Sequence, residues 1–257
     1  MTTAPWDPAQ YLKFADERTR PALDLLARVG DPSPKTVFDL GCGPGNVTAL
    51  LRRRWPDARV TGVDRSEAML AIARANHPGI EFVAADIAAF RPETPAGVIV
   101  SNAALHWLSD HASLFPALAR ALASGGALAV QMPHVNDQSS HLLMAESARS
   151  GSWGAKALAA LPRYPRHQPA DYYGWLAPLC RTVDIWETTY LHALSGPDAV
   201  AEWMKGAALR PLLAALSPEE QDGFFADYRV RLAREYPRRA DGTTLFPFRR
   251  LFIVATN

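Results

Sequence analysis

Three acids and three glycines carry the chemistry that can be read in this chain. The stretch VFDLGCGPGN, residues 37 to 46, leads an apolar segment into Asp39 and then into Gly41, Gly43 and Gly45, each separated by one residue. Glycine takes positive φ without a Cβ penalty, so this spacing predicts a tight turn whose main chain can approach a ligand closely. A dinucleotide-binding turn carries a further glycine three positions after the second, where a helix N-terminus receives a diphosphate. Asn46 stands there instead. Asp39, at the start of the turn, would repel a diphosphate and attract an ammonium group.

Asp64 closes the next strand-like run, ARVTGVD, and Asp86 closes a third, EFVAAD. A strand-end carboxylate can accept both hydroxyls of a ribose, a role common to nicotinamide and adenosyl ligands, so Asp64 alone does not discriminate between them. Asp86 discriminates better, because a carboxylate at the third strand end can accept from the exocyclic amine of adenine. Three acids at successive strand ends describe a ligand with an amino acid at one end, a ribose in the middle and a purine beyond. S-adenosyl-L-methionine has that layout.

The elements that must position these groups alternate between strand and helix across residues 35–132, the pattern of a parallel sheet wound by helices. TVFDL, ARVTGVD, IEFVAAD, AGVIVSN and ALAVQM read as five strands. NVTALLRRRW reads as a helix capped by Asn46, and SEAMLAIARANHP as one capped by Ser66 and ended by Pro78. SLFPALARALAS reads as a third helix, stopped by Gly125 and Gly126. Residues 133–180, rich in Pro, Ser, Gly, His and Tyr, read as a lid insertion containing the helical piece SSHLLMAESARS. VDIWETTYLHAL resumes a strand. GPDAVAEWMKGAALRPLLAAL and SPEEQDGFFADYRVRLAREYP form a helical crossover, and RRLFIVAT ends residues 181–257 as a strand, predicting an antiparallel hairpin at the sheet edge. The N-terminal QYLKFADERTRPALDLLARVG, with Pro21 in a helical first turn, makes residues 1–34 a helical lid outside the core sheet.

The 257 residues suffice for one large α/β domain. Lys plus Arg number 27 against 26 Asp plus Glu, a formal charge of +1, which gives no electrostatic footprint for nucleic acid or an anionic membrane. The chain begins without a basic or apolar leader pattern and holds no long apolar run, so no membrane partner is expected. Two distant cysteines, Cys42 and Cys180, argue for a reducing compartment, with cytoplasm as the default. Scattered histidines without ligand spacing argue against a metal site. No obligate protein partner is evident.

With its D-x-G-x-G-x-G turn, ribose acid and adenine-side Asp in this order, the chain resembles the class I S-adenosylmethionine-dependent methyltransferases. Longer blocks narrow the resemblance. YLKFADERTRPALDLLARV, DLGCGPGN, RWPDARVTGVDRSEAML, SNAALHWLSDHASLFPAL and RRLFIVA together are similar to the trans-aconitate 2-methyltransferases, with the weakest match in residues 135–170. The resemblance implies a single domain over residues 1–257: an α/β, Rossmann-like, doubly wound, mostly parallel seven-stranded sheet with a terminal antiparallel strand and a helical cap. It also implies transfer of a methyl group to a carboxylate of a small tricarboxylic acid, giving a monomethyl ester and S-adenosylhomocysteine by in-line displacement. A carboxylate is already a nucleophile at neutral pH, so no catalytic base is expected.

The resemblance further implies that Asp39, Gly41, Cys42, Gly43 and Asn102 hold the methionine end and Asp64 the ribose. Arg65 and Met69 would flank the adenine, Asp86 and Ile87 read its edge, and Ala103 and Trp107 line the far wall. Met69 reads equally as core, Trp107 as a buried anchor, and Cys42 as a turn filler rather than a nucleophile. A tricarboxylate needs cations, which bidentate arginines supply best. Arg18, Arg20, Lys205, Arg210, Arg249 and Arg250 are the candidates, with Tyr11, His106, His134 and Trp203 as walls or hydrogen-bonding partners. Rival readings are a carboxyl methyltransferase for another small acid or for a malonyl carrier protein, and a nicotinamide oxidoreductase. A carrier-protein partner would favour a basic patch, for which Arg52, Arg53 and Arg54 form the tightest cluster.

Overall fold

The computed structural model describes residues 15–30, 33–162, 165–206 and 208–257, with side chains from Thr19 onward. Seven strands form one sheet: β1 (Thr36–Leu40), β2 (Arg59–Asp64), β3 (Glu81–Ala84), β4 (Ala96–Asn102), β5 (Leu122–Pro133), β6 (Thr182–Ser195) and β7 (Thr243–Thr256). Their order is β3-β2-β1-β4-β5-β7-β6. β1 to β5 pair in parallel, and β7 runs antiparallel to β5. The sheet is therefore the expected mostly parallel one, with the terminal strand inserted beside β5. Strand order reverses between β1 and β4, and the crevice outside the carboxyl ends of such strands is where open α/β sheets bind ligands.

The central strands form because both their faces are buried. Val37 and Leu40 of β1 and Val98, Ile99 and Val100 of β4 are wholly inaccessible, as apolar runs in parallel sheets are. The helices around them are α1 (Ala15–Arg28), α2 (Asn46–Arg54), α3 (Glu67–Asn76) and α4 (His111–Arg120). Ser66 caps α3 as expected, accepting the amide of Met69 at 3.4 Å. The backbone carbonyls at the C-terminus of α1 are tied down by Arg54, which donates to Leu26 and Val29 at 3.0 and 2.8 Å.

Four local expectations are corrected. Pro21 lies inside α1 rather than in its first turn, because the chain before it is helical too. Asn46 is the first helical residue of α2; the cap position belongs to Gly45, whose left-handed φ of 85° turns the chain directly into the helix. α4 ends at Arg120, and Gly125 and Gly126 lie within β5, where its register against β4 shifts. A Cβ on Gly126 would stand 2.8 Å from the carbonyl of Ala96, so these glycines permit a bulge instead of stopping a helix. β7 starts at Thr243, well before RRLFIVAT, and carries Pro247 in its first half, a residue that hides strand character in a sequence.

The chain divides into two compact units. The described residues within 18–133, 165–188 and 250–257 form the unit that holds the glycine turn and its acids. The other, which among the described residues takes in 15–17 and those within 134–162 and 189–249, includes α5 (Ser139–Ser150), α6 (Gly154–Ala160), α8 (Ala199–Lys205), α9 (Arg210–Ala214) and α10 (Pro218–Glu235); α7 (Pro169–Leu176) belongs to the first. The second unit has its own core around Trp203, Phe224, Tyr228, Phe246 and Phe248. Within it Tyr228 donates to the carbonyl of Ser140 at 2.8 Å, and Ser217 and Glu220 close a capping box at the start of α10.

Candidate active site

β1 ends at Leu40, and the glycine turn follows with φ of 77° at Gly41, 53° at Gly43 and 85° at Gly45. The three glycines do different work. A Cβ on Gly41 would lie 2.1 Å from the Cβ of Ala104, and one on Gly45 would lie 2.8 Å from His77 and 2.9 Å from Phe82. Those two make room for protein. Gly43 faces open space, with nothing within 4 Å of a built Cβ, so main chain can meet a ligand there.

Asp64, at the end of β2, holds this turn in shape. Its Oδ2 accepts the amide of Gly43 at 2.9 Å and its Oδ1 the amide of Ser66 at 2.8 Å. Each carboxylate oxygen keeps a further lone pair, enough for the two hydroxyls of a ribose.

Asp39 is 1% exposed and accepts from Thr48 Oγ1 at 2.6 Å. Burial pushes its pKa up to about 7; the Thr48 hydrogen bond opposes this, and the Asp64 charge adds to it. A buried carboxylate in that condition is stabilised by a cation placed beside it. The Cys42 thiol is pushed far above its ordinary range by burial and by the charges of Asp39 and Asp64. The Cys42 side chain is buried within the turn.

β4 closes the other side of the crevice. Asn102 is its last residue, and the Asn102 Oδ1 is buried without a hydrogen-bond partner. Ala103 takes a left-handed φ of 53°, a conformation that costs a non-glycine residue about 1 kcal/mol, and its amide donates to the carbonyl of Gln131 at 2.8 Å. That kink brings Ala104 against Gly41, interlocking the two loops.

Asp86 lies two residues beyond β3 and caps a short 3-10 turn, Ile87–Ala89, by accepting the amide of Ala88 at 2.9 Å. Ile87 Cδ1 would be 3.4 Å from a Cβ on Gly41, so this turn borders the glycine loop. Met69 is buried on α3, while Arg65 is exposed. Trp107 is 44% exposed at the end of a 3-10 turn, Leu105–Trp107, against the buried ring of His106. It is not a buried anchor.

The candidate acceptor residues are less concentrated. Tyr11 and the side chain of Arg18 lie outside the described residues. Arg20 projects from α1 with its side chain 73% exposed, 3.8 Å from Asp24. Arg249 is built into its own unit, donating from Nε to the carbonyl of His134 at 2.9 Å and pairing with Asp137. Trp203 packs in the second core, stacked on His192 at 4.6 Å, and Lys205 pairs with Glu202 at 2.9 Å and lies over the Phe225 ring. Of the basic cluster, Arg52 is turned onto the carbonyls of Pro56 and Ala58, and Arg54 onto those of α1. Sequence reasoning passed over Gln131, a fully buried amide in the apolar run ALAVQM; a lone polar residue at an inward position of a strand was the available signal.

Residues 37–126 match the family model described as a methyltransferase domain. The chain is 52% identical to the trans-aconitate 2-methyltransferase of Methylobacterium nodulans over 253 residues, covering 98% of each. It is 50% identical to that of Azoarcus sp. over 250 residues, covering 97% of this chain and 98% of the relative. The chain belongs to the trans-aconitate 2-methyltransferase family. Among solved structures, a Haemonchus contortus phosphoethanolamine N-methyltransferase 2 in complex with S-adenosyl-L-methionine aligns with a TM-score of 0.58 at 18% identity, covering 97% of this chain and 56% of the other. The Bacillus subtilis YcgJ protein aligns with a TM-score of 0.58 at 13% identity, covering 93% and 98%. These likenesses establish that the family member has the class I methyltransferase fold.

Proposed function

We propose that the chain transfers a methyl group from S-adenosylmethionine to a carboxylate of trans-aconitate, yielding a monomethyl ester and S-adenosylhomocysteine. The observation that carries this reading is the near-full-length identity to trans-aconitate 2-methyltransferases, on a chain whose glycine turn and acids suit that cofactor. The fit rests on three features: the open approach at Gly43, the unpartnered buried Oδ1 of Asn102, and the buried carboxylate of Asp39. An amino-acid end bearing an ammonium group answers the last two.

When bound, the cofactor supplies an electrophilic methyl group on a sulfonium. Asp39, Asn102 and the main chain of Gly41, Cys42 and Gly43 would hold its methionine end and Asp64 its ribose. Asp86, Ile87, Arg65 and Met69 would surround the adenine, with Ala103 and Trp107 beyond. The acceptor carboxylate carries no proton that must be removed, so the residues of the site act by orienting it and excluding water. Arg20 is the proposed external cation for the acceptor.

A cytoplasmic location is proposed on the free Cys42 and Cys180; no described helix is long and apolar enough to cross a membrane. The test is to incubate purified protein with carbon-13-methyl-labelled cofactor and trans-aconitate and read the product by NMR. A labelled ester methyl signal that disappears on mild base treatment supports the reading. A labelled product stable to base, or label left entirely on the cofactor, refutes it.

A further inference from the structure

The sheet places a second orphaned polar atom beside the first, and the two have opposite polarity. Asn102 of β4 and Gln131 of β5 are direct register partners, so their Cα atoms are separated by one strand spacing and their side chains share a face. Asn102 Oδ1, a hydrogen-bond acceptor, and Gln131 Nε2, a donor, are both buried without a partner. On the far side of β5, Gln131 pairs in register with Phe252, and Arg250 lies two residues earlier on the same face of β7. Gln131 is wholly buried and Arg250 is 4% exposed, with Arg250 Nη1 donating to Gln131 Oε1 at 3.5 Å. On the same face of β5 and β7 the neighbouring Ala129, Phe252 and Val254 are buried and apolar.

Burying a glutamine and an arginine in the apolar centre of a sheet costs folding free energy, and leaving the amide donor unmatched adds to it. A ligand with a cationic group and an anionic group side by side would answer both orphans. The cation of the cofactor falls to Asn102 and Asp39. The anion falls to the next strand.

We propose that Gln131 and Arg250 form the seat for one carboxylate of the acceptor acid, one strand across from the cofactor's amino end; this rests on the methyl-transfer reading above. Gln131 Nε2 donates to the carboxylate, and Arg250 holds Gln131 through Oε1 while supplying the positive charge. The seat selects planar carboxylates over alcohols or amines, because the amide and the guanidinium both donate. The cofactor's amino-acid end carries a carboxylate of its own, so assignment of the seat to the acceptor requires that its variants separate the two affinities.

Gln131→Glu places a carboxylate against Arg250 and neutralises the seat from within; Gln131→Met removes the donor at similar volume. The experiment first establishes that wild-type protein methylates trans-aconitate; failure there sinks the methyl-transfer reading rather than this one. Given that activity, Gln131→Glu is expected to raise KM for trans-aconitate by at least about tenfold, with Gln131→Met rising less. The Kd for S-adenosylhomocysteine by calorimetry should stay within about twofold of wild type. In wild-type protein saturated with S-adenosylhomocysteine, the side-chain amide resonances of Gln131 should shift when trans-aconitate is added, a readout that does not depend on the variants folding. Unchanged KM in folded variants, equal loss of both affinities, or unmoved amide resonances would overturn the assignment.

Discussion

Gly43 donates its amide to Asp64 Oδ2 at 2.9 Å, so the acid that ends β2 also shapes the turn that follows β1. One carboxylate thereby sets the geometry of the cradle and, in the proposed function, also takes the ribose. Asp64→Asn keeps one acceptor oxygen and turns the other into a donor facing an N–H. The Kd for S-adenosylhomocysteine should rise roughly tenfold to hundredfold, the range expected for losing hydrogen bonds to a charged group. Titration calorimetry measures it, and a change under threefold would contradict the dual role.

Asp39 makes ligand-free stability depend on pH in a direction opposite to that of most carboxylates. In the unfolded chain it ionises near 3.8, and in the folded protein near 7. Below the lower value both states hold the proton; between the two, the folded protein keeps a proton that the unfolded chain has released, so stability falls as pH rises. Above the upper value the cost is fully present, roughly 4 kcal/mol. Asp39→Asn should therefore raise the ligand-free Tm at pH 8 while weakening S-adenosylhomocysteine binding. Thermal unfolding across pH 5 to 8 tests this, and an Asp39→Asn curve parallel to wild type would refute it.

A bound ammonium group should restore the ordinary ionisation of Asp39. Cofactor binding near pH 7 is then accompanied by proton release, and affinity improves as pH rises through 7. Calorimetry in two buffers of different ionisation enthalpy counts the protons. Proton uptake, or no exchange at all, would show that the cation does not sit beside Asp39.

The two glycines with different surroundings should fail differently. Gly41→Ala drives a Cβ to 2.1 Å from that of Ala104, so it should lower Tm and displace the loop after β4. Gly43→Ala meets no protein atom and should cost only about 1 kcal/mol for its left-handed φ, yet it should abolish tight cofactor binding. Comparing Tm and Kd for the pair checks this; a Gly43→Ala protein that binds normally would move the ligand elsewhere.

Arg20 and Arg249, both candidate acceptor cations in the sequence, differ in their surroundings. Arg20→Ala should raise acceptor KM severalfold with little change in Tm, since its side chain is 73% exposed. Arg249→Ala should instead lower Tm, because it strips the His134 carbonyl and Asp137 of their donor. Steady-state kinetics and thermal unfolding of both variants would expose a reversal.

Much of this was legible because local chemistry and fold agreed. Apolar runs ending in Asp39, Asp64 and Asn102 had to be strands whose carboxyl ends converge, and Ser66 had to cap the helix after β2. Gly125 and Gly126 were misread because a glycine pair ends a helix and bulges a strand equally well, and only the register against β4 distinguishes them. Asn46 lost the cap because the left-handed Gly45 had already made the turn. Gln131 shows in the sequence only as a lone polar residue in an apolar run, because the role proposed for it depends on Asn102 and Arg250 on neighbouring strands, far away in sequence.

The most direct test of the central claim is kcat/KM, measured by S-adenosylhomocysteine release, for trans-aconitate, cis-aconitate, isocitrate, citrate and a malonyl carrier protein. The account predicts trans-aconitate ahead of every other acceptor by at least about tenfold, with a base-labile monomethyl ester as product. Tight S-adenosylhomocysteine binding with no methylation of trans-aconitate, or a preference for the carrier protein, would contradict it.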